Sequence, residues 1–271
     1  MFAKTRIAVI GAGKLGEALI GGMIDAGIVK KDQFIATAAH PERLAVIQKK
    51  FGVKTTLSNG EAVRNAQLVL LCVKPQVVEE VLRQVADDFT PKHVLISVAA
   101  SVSTRFMENI LGKPVPVIRA MPNTPCLIKQ GMTAVAAGKH ATAPQVQAAK
   151  KMFDAIGRCL VVDEKHMDAV TALGASGPAF VYTIIESFIE GGVKVGLPRD
   201  AATLIAAQMV HGAANMVLET GEHPAKLKDT VTTPAGCTVD GLLELEEGGL
   251  RVTLIKAVDR ATRRARELVN G

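Results

Sequence analysis

At 271 residues the chain is long enough for about two domains, and a 48% hydrophobic content supplies ample core. Aromatic residues make up only 3%, with no Trp and one Tyr, which argues against the base-stacking surfaces of single-stranded nucleic-acid binders. The formal net charge of +6 suits anionic small ligands, because the densest basic run, Arg260, Arg263, Arg264 and Arg266, is interleaved with Asp259 and Glu267 and reads as a solvated helix face.

The first predicted element is the apolar strand 6–10, which runs straight into Gly11-Ala12-Gly13-Lys14-Leu15-Gly16 and a helical pattern over 14–26. Gly11 permits a tight turn, Gly13 lets backbone approach a pyrophosphate, and Gly16 lets the helix pack closely on the strand. The helix start offers free N–H groups to the phosphates. A second strand over 34–38 leads into Ala39-His40-Pro41 and a helix over 41–51. Dinucleotide folds that bind NAD place a carboxylate at the end of this strand. None stands here, while His40 and Arg43 follow, so the sequence favours NADPH with NADH use open, unless these two residues merely start the next helix.

Strand 68–73 ends at Val73-Lys74-Pro75, where Lys74 suits a ribose or phosphate contact, and the next helix is predicted over 76–87. Strand 94–99 closes on the small residues Ala99-Ala100-Ser101, as backbone beside a nicotinamide requires. After a helix over 103–111, strand 115–120 ends at Met121-Pro122-Asn123-Thr124-Pro125. Asn123 there either orients a carboxamide or ties down the turn. A strand over 132–137, a helix over 142–156 and a strand over 159–162 complete the pattern. Strands alternating with helices imply a mainly parallel sheet covered on both faces.

Beyond Asp163 the β pattern stops, and 165–173, 176–195, 199–220, 223–229, 239–247 and 250–269 all read as helices. The predicted fold is therefore an N-terminal α/β, Rossmann-type doubly wound sheet over 1–163 plus an all-α C-terminal dimerisation domain over 164–271. The stretch 180–195 is apolar almost all round, and so small a helical domain has little room to enclose it alone, so a homo-oligomer with interleaved helices is expected over a hairpin buried within one chain. The run Val231-Thr232-Thr233-Pro234-Ala235-Gly236-Cys237-Thr238 opens a helix with hydroxyls, a proline and a glycine, which fits either an anion cradle or a helix cap. Glu164 reads as a carboxylate at a helix start, complementing the dipole.

The cysteines Cys72, Cys126, Cys159 and Cys237 show no CxxC pairing, so neither a zinc site nor a disulfide framework is indicated. No run of about 18 residues is apolar without polar or glycine interruption, and the N-terminal apolar run is short and lacks a cleavage signature. The sequence thus points to a cytoplasmic protein that neither spans a membrane nor carries a signal peptide.

The loop Thr232 to Thr238, together with the 11–16 turn, Val73-Lys74-Pro75, Met121-Pro122-Asn123-Thr124-Pro125 and Ala175-Ser176-Gly177-Pro178-Ala179, resembles Δ1-pyrroline-5-carboxylate reductase from end to end. One departure is Ala235, where that family usually has the first of two glycines, and only slight tightening is expected from it. The resemblance implies NADPH along Gly11, Ala12, Gly13, Lys14, Leu15 and Gly16, at His40 and Asn59, along Val73, Lys74 and Pro75, and at Ala99 and Ala100. It implies substrate at Glu164, Val231, Thr232, Thr233, Gly236, Cys237 and Thr238. It also implies a homodimer through the helical domain, open to further assembly into a decamer of five dimers.

Reducing a cyclic imine needs hydride, a proton and a grip on the carboxylate, and no metal. The expected arrangement has backbone N–H groups of 236–238 on the carboxylate and the Thr238 hydroxyl on the ring nitrogen, with orientation supplying much of the rate. A β-hydroxyacid dehydrogenase would instead use a lysine such as Lys194, and would leave the 232–238 loop without a role. A non-catalytic NADP-binding protein would be expected to have a degraded loop.

Overall fold

The computed structural model describes residues 5–269. Its sheet is built from β1 (Ile7–Ile10), β2 (Phe34–Thr37), β3 (Lys54–Thr56), β4 (Leu68–Leu71), β5 (Val94–Ser97), β6 (Val117–Met121), β7 (Gly131–Ala137) and β8 (Gly157–Val161). Alternating with them are α1 (Lys14–Asp25), α2 (Pro41–Phe51), α3 (Asn59–Arg64), α4 (Val78–Val85), α5 (Thr104–Leu111) and α6 (Ala143–Asp154). The spatial order is β3-β2-β1-β4-β5-β6-β7-β8. The central strands β1, β2 and β4 are buried at every position, as unbroken apolar runs covered by helices on both faces must be.

All neighbours pair in parallel except β6 and β7, where Ile118 faces Ala137 and Met121 faces Ala134. The link between those two strands holds only a short 3₁₀ turn, Thr124–Ile128, and has no crossover helix to carry the chain back to the same end of the sheet. The strand order reverses between β1 and β4, and the crevice off the carboxyl ends of strands at such a reversal is where open α/β sheets bind ligands.

Two elements were not predicted from sequence, β3 and α3. β3 is a three-residue edge strand with no buried position, so it carries no apolar signature. α3 did leave a signal: Ser58 and Glu61 stand at capping-box spacing, and the Ser58 hydroxyl accepts the Glu61 N–H at 3.2 Å.

After β8 come α7 (Met167–Val170), a π-helical turn Thr171–Ala175, α8 (Gly177–Lys194), α9 (Arg199–Thr220), α10 (Pro224–Thr230), α11 (Cys237–Glu247) and α12 (Leu250–Val269). Contacts divide the chain into two compact units, one running through Ser176 and including the helix end from Ala261, the other Gly177–Arg260. Within Gly177–Arg260 the buried apolar side chains are Ala202 and Ala206, while Val195, Leu204, Leu243 and Ile255 are 80%, 71%, 63% and 64% exposed. A unit of that size with so little buried apolar surface has no core of its own and needs a cover. Two stretches, Glu164–Lys194 and Arg199–Thr220, have a mean hydropathy of 1.3 and the length to cross a membrane, with 6% and 11% of their apolar windows buried. Counting only uninterrupted apolar runs passed over both.

Candidate active site

The three glycines of the first turn do three different jobs. Gly11 sits at φ +84, and a Cβ there would lie 2.7 Å from Val73 Cγ1 and 3.1 Å from the Cys72 carbonyl oxygen. Gly16 would place a Cβ 3.1 Å from the Gly11 carbonyl oxygen and 3.2 Å from Val9 Cγ1, so its hydrogen is what lets α1 lie against β1. Gly13 meets nothing within 4 Å, leaving its face open for a ligand to approach the backbone. As N-cap of α1 it has no side chain to satisfy the helix. The N–H groups of Lys14, Leu15 and Gly16 therefore have no acceptor among the described residues, as an anion site requires.

On one side of this turn a cleft of about 420 Å³ is lined by Gly11, Thr37, Ala38, Asn59, Val73 and Val77, among others. A relay fixes its wall. The Gly11 N–H donates to Thr37 Oγ1 at 3.3 Å, that hydroxyl donates to Asn59 Oδ1 at 2.7 Å, and Asn59 Nδ2 donates to Gln84 at 3.0 Å. Thr37 was missed as a site residue, although a hydroxyl at the end of the second strand was visible in the sequence.

His40 is exposed at the start of α2. Arg43 is not free: its Nε donates to the Ala12 carbonyl at 2.7 Å and its Nη2 to Glu17. Lys50 donates to the other Glu17 oxygen at 2.8 Å. The Lys50 hydrogen bond, opposed by burial and reinforced by Arg43, holds the Glu17 carboxyl below its ordinary range.

On the other side of the turn a groove of about 280 Å³ is lined by Lys14, Leu15, Pro122, Asn123, Thr124 and Leu127, among others. Asn123 spends both ends of its amide on the frame, donating to the Gly174 carbonyl at 3.0 Å and accepting the Met132 N–H at 2.9 Å. Lys74 and Pro75 are exposed after β4, Val73 is half-buried, Ala99 is buried and Ala100 half-buried. Burial pushes the Cys72 thiol up to about 12.

Glu164 is likewise built into the frame. Its carboxylate accepts the Thr104 N–H at 2.7 Å and the Thr104 hydroxyl at 2.5 Å, so it caps α5. Arg119 lies 3.8 Å from Glu164 and 3.8 Å from Asp168, with its side chain only 3% exposed. Its Nε and Nη2 are buried without a hydrogen-bond partner. Burial lowers the Arg119 pKa, and the two carboxylates oppose that shift. An arginine amid the apolar Val117–Met121 strand was the sequence signal for this cluster.

In the second unit, the Gly236 N–H donates to the Thr233 carbonyl at 3.0 Å, closing a turn with Pro234 and Ala235 at its centre. A Cβ on Gly236 would fall 2.6 Å from Thr233 Oγ1, so the position has no room for a side chain. Gly236 then caps α11 without a side chain. Its own N–H is taken, and at the start of α11 the N–H groups of Cys237 and Thr238 and the Thr238 hydroxyl have no acceptor among the described residues. Thr232 Oγ1 is turned back onto the Lys228 carbonyl at 2.8 Å, while Val231 lines an apolar groove of about 350 Å³ with Met216, Val217 and Leu227.

A family model described as pyrroline-5-carboxylate reductase dimerisation matches residues 164–268, and one described as NADP oxidoreductase, coenzyme F420-dependent, matches 6–101. Pyrroline-5-carboxylate reductase of Methanosarcina acetivorans is 41% identical over 263 residues, covering 97% of each chain. Pyrroline-5-carboxylate reductase 3 of Rattus norvegicus is 41% identical over 268 residues, covering 99% of this chain and 97% of that protein. The chain belongs to the pyrroline-5-carboxylate reductase family. Among solved structures, the Coxiella burnetii reductase superposes with a TM-score of 0.93 at 34% identity, covering 97% of this chain and 98% of that one. The Plasmodium falciparum reductase, solved with NADP bound, gives 0.88 at 28% identity, covering 99% and 100%.

As in other members of the pyrroline-5-carboxylate reductase family, the helical half carries the dimerisation domain, so the chain forms oligomers. The exposed apolar residues of α8, α9, α11 and α12 are what such a domain must present.

Ala235 corrects the expectation of mere tightening. It sits at φ +57, in the left-handed region, after a proline at the first central position of the turn. That is the pattern of a type II turn, whose second central residue is ordinarily glycine. The cost to alanine is backbone strain of about 1 kcal/mol, not volume. Ala235→Gly should therefore raise stability by about 0.5 kcal/mol once the greater freedom of glycine in the unfolded chain is subtracted. Equilibrium denaturation would read it, and a loss of stability would show that the strain is not there to relieve.

Proposed function

We propose that the chain reduces 1-pyrroline-5-carboxylate to L-proline with NADPH, the last step of proline biosynthesis, and accepts NADH less well. The observation that carries this reading is the free donor set at the start of α11, an anion and nitrogen cradle made by the N–H groups of Cys237 and Thr238 and the Thr238 hydroxyl. Bound NADPH would supply the hydride. The N–H groups of Cys237 and Thr238 hold the substrate carboxylate, and the Thr238 hydroxyl holds the ring nitrogen. Thr233 and Gly236 shape the turn, and Val231 and Thr232 fix its entry. The imine carbon gains hydride, and the ring nitrogen keeps the proton with which the imine enters from water.

The glycine turn binds the pyrophosphate through the free N–H groups of Lys14, Leu15 and Gly16. Asn59, His40 and Arg43 serve the adenosine end, while Val73, Lys74, Pro75, Ala99 and Ala100 border the ribose and nicotinamide. Asn123 and Glu164, whose polar groups are already spent within the chain, act by positioning. Residues 1–163 form the dinucleotide-binding domain and 164–271 the substrate and oligomerisation domain. A second subunit, not lipid, covers the apolar faces. Dimers assemble further, five to a decamer, in the cytoplasm.

The test follows NADPH oxidation with pyrroline-5-carboxylate beside its six-membered homologue. Faster oxidation with the five-membered ring is expected. No oxidation with either would overturn the reading.

A further inference from the structure

Glu17 has no part in the chemistry above, yet it gathers two cations. One carboxylate oxygen takes Arg43 and the other takes Lys50. Arg43 and Lys50 lie on one face of α2, seven residues apart, and Glu17 is on the first turns of α1. The Arg43 guanidinium rests on the Ala12 carbonyl, and the N–H of Ala12 is in turn bonded to the carbonyl of Thr37, which lines the 420 Å³ cleft. Arg43 is thus tied through Ala12 to a wall residue of that cleft, while Glu17 and Lys50 line a separate groove of about 300 Å³ beside it. Its formal charge is +1, from Arg43 and Lys50 at +1 each and Glu17 at −1. Two of the three Arg43 nitrogens are committed to the protein, which leaves Nη1 without a bond among the described residues.

We infer that Glu17 is a specificity residue that limits this enzyme's preference for a 2′-phosphorylated dinucleotide by withdrawing positive charge from Arg43 and Lys50. The inference rests on the proposed placement of the adenosine end beside Arg43. A 2′-phosphate is a dianion close to this cluster, whereas a 2′-hydroxyl is neutral. The pyrophosphate is common to both dinucleotides and its response cancels in their ratio, so changing the cluster by one unit of charge shifts the ratio through the 2′-phosphate. At about 8 Å and near-aqueous screening, one unit against a dianion is worth about fivefold in binding. The absence of a carboxylate at the end of β2 leaves the hydroxyl form without its usual partner, so discrimination falls to charge in this cluster.

The experiment measures the dissociation constants of NADP⁺ and NAD⁺ by calorimetry, without substrate, for the full-length protein and for Glu17→Gln, Lys50→Met and Arg43→Met. Glu17→Gln should raise the NADP⁺ to NAD⁺ affinity ratio about fivefold, because NADP⁺ gains more than NAD⁺ does. Lys50→Met, at an exposed position, should lower the ratio by a similar factor even if Glu17→Gln fails to fold, and Arg43→Met should lower it further. A Glu17→Gln ratio within twofold of the parent, or below it, would overturn the inference, the latter because Glu17 would then be aiming Arg43 at the phosphate. A Lys50→Met ratio unchanged within twofold would overturn it equally. Failure of the parent protein to bind either dinucleotide would instead sink the cofactor reading beneath it.

Discussion

Thr238→Ala is expected to lower kcat/KM for the imine about 100-fold while NADPH affinity stays within twofold of the parent. The hydroxyl is one of three donors left free at the start of α11, and it is the one free to rotate onto a ring nitrogen. A donor aimed at the reacting centre orients the substrate and meets charge as it changes, which is where a single group has its largest effect on rate. The glycine turn belongs to the other compact unit, so cofactor binding without substrate should not register the change. Thr238→Ser keeps the hydroxyl and should recover most of the loss. Steady-state kinetics with both variants decide the matter: equal defects in Ser and Ala would mean that the methyl, not the hydroxyl, is what counts.

Arg119→Met is expected to cost about 3–5 kcal/mol of stability, seen as a fall in Tm on the order of 10 °C. Glu164 and Asp168 both face this one buried guanidinium at 3.8 Å, and Thr104 is bonded to Glu164 from the start of α5. Removing the cation leaves Glu164 without its ion-pair partner and Asp168 with only Arg266, 3.9 Å away. Glu164 keeps its hydrogen bonds from Thr104, so the damage should be repairable by removing charge. The triple change Arg119→Met, Glu164→Gln, Asp168→Asn should regain a large part of the loss. Thermal unfolding of the two variants side by side checks this, and a single variant as stable as the parent would show the cluster to be energetically idle.

Much of the fold could be read from local pattern. β1, β2, β4, β5, β6 and β7 are apolar runs buried on both faces or nearly so, and each was visible as such; β8, mostly exposed, was visible only as a short apolar stretch. β3 was not, because a three-residue edge strand with exposed and half-buried positions has no period to read. The helical half was legible for the same reason, through the proline and glycine punctuation at 196–198 and 223–224. In the site, Gly11, Gly13 and Gly16 were assigned separate roles from spacing, and their surroundings differ in just that way. For Asn123 the two readings were a carboxamide contact or a tie within the turn, and for Arg43 a phosphate contact or a helix start; their bonds run to Gly174, Met132, Glu17 and Ala12, partners between 9 and 51 residues away that no local pattern announces.

The sequence by itself determined the order and type of every strand and α-helix except β3 and α3, the dinucleotide turn and the family. It did so because these depend on residues within a turn or two of one another, where periodicity and steric demand act directly. Only the tertiary structure decided that β7 runs antiparallel, that Arg119 is buried between Glu164 and Asp168, that Glu17 binds both Arg43 and Lys50, and that Ala235 is held at positive φ. Those features arise where distant segments are pressed together, and there burial and charge pairing outweigh what each segment prefers alone.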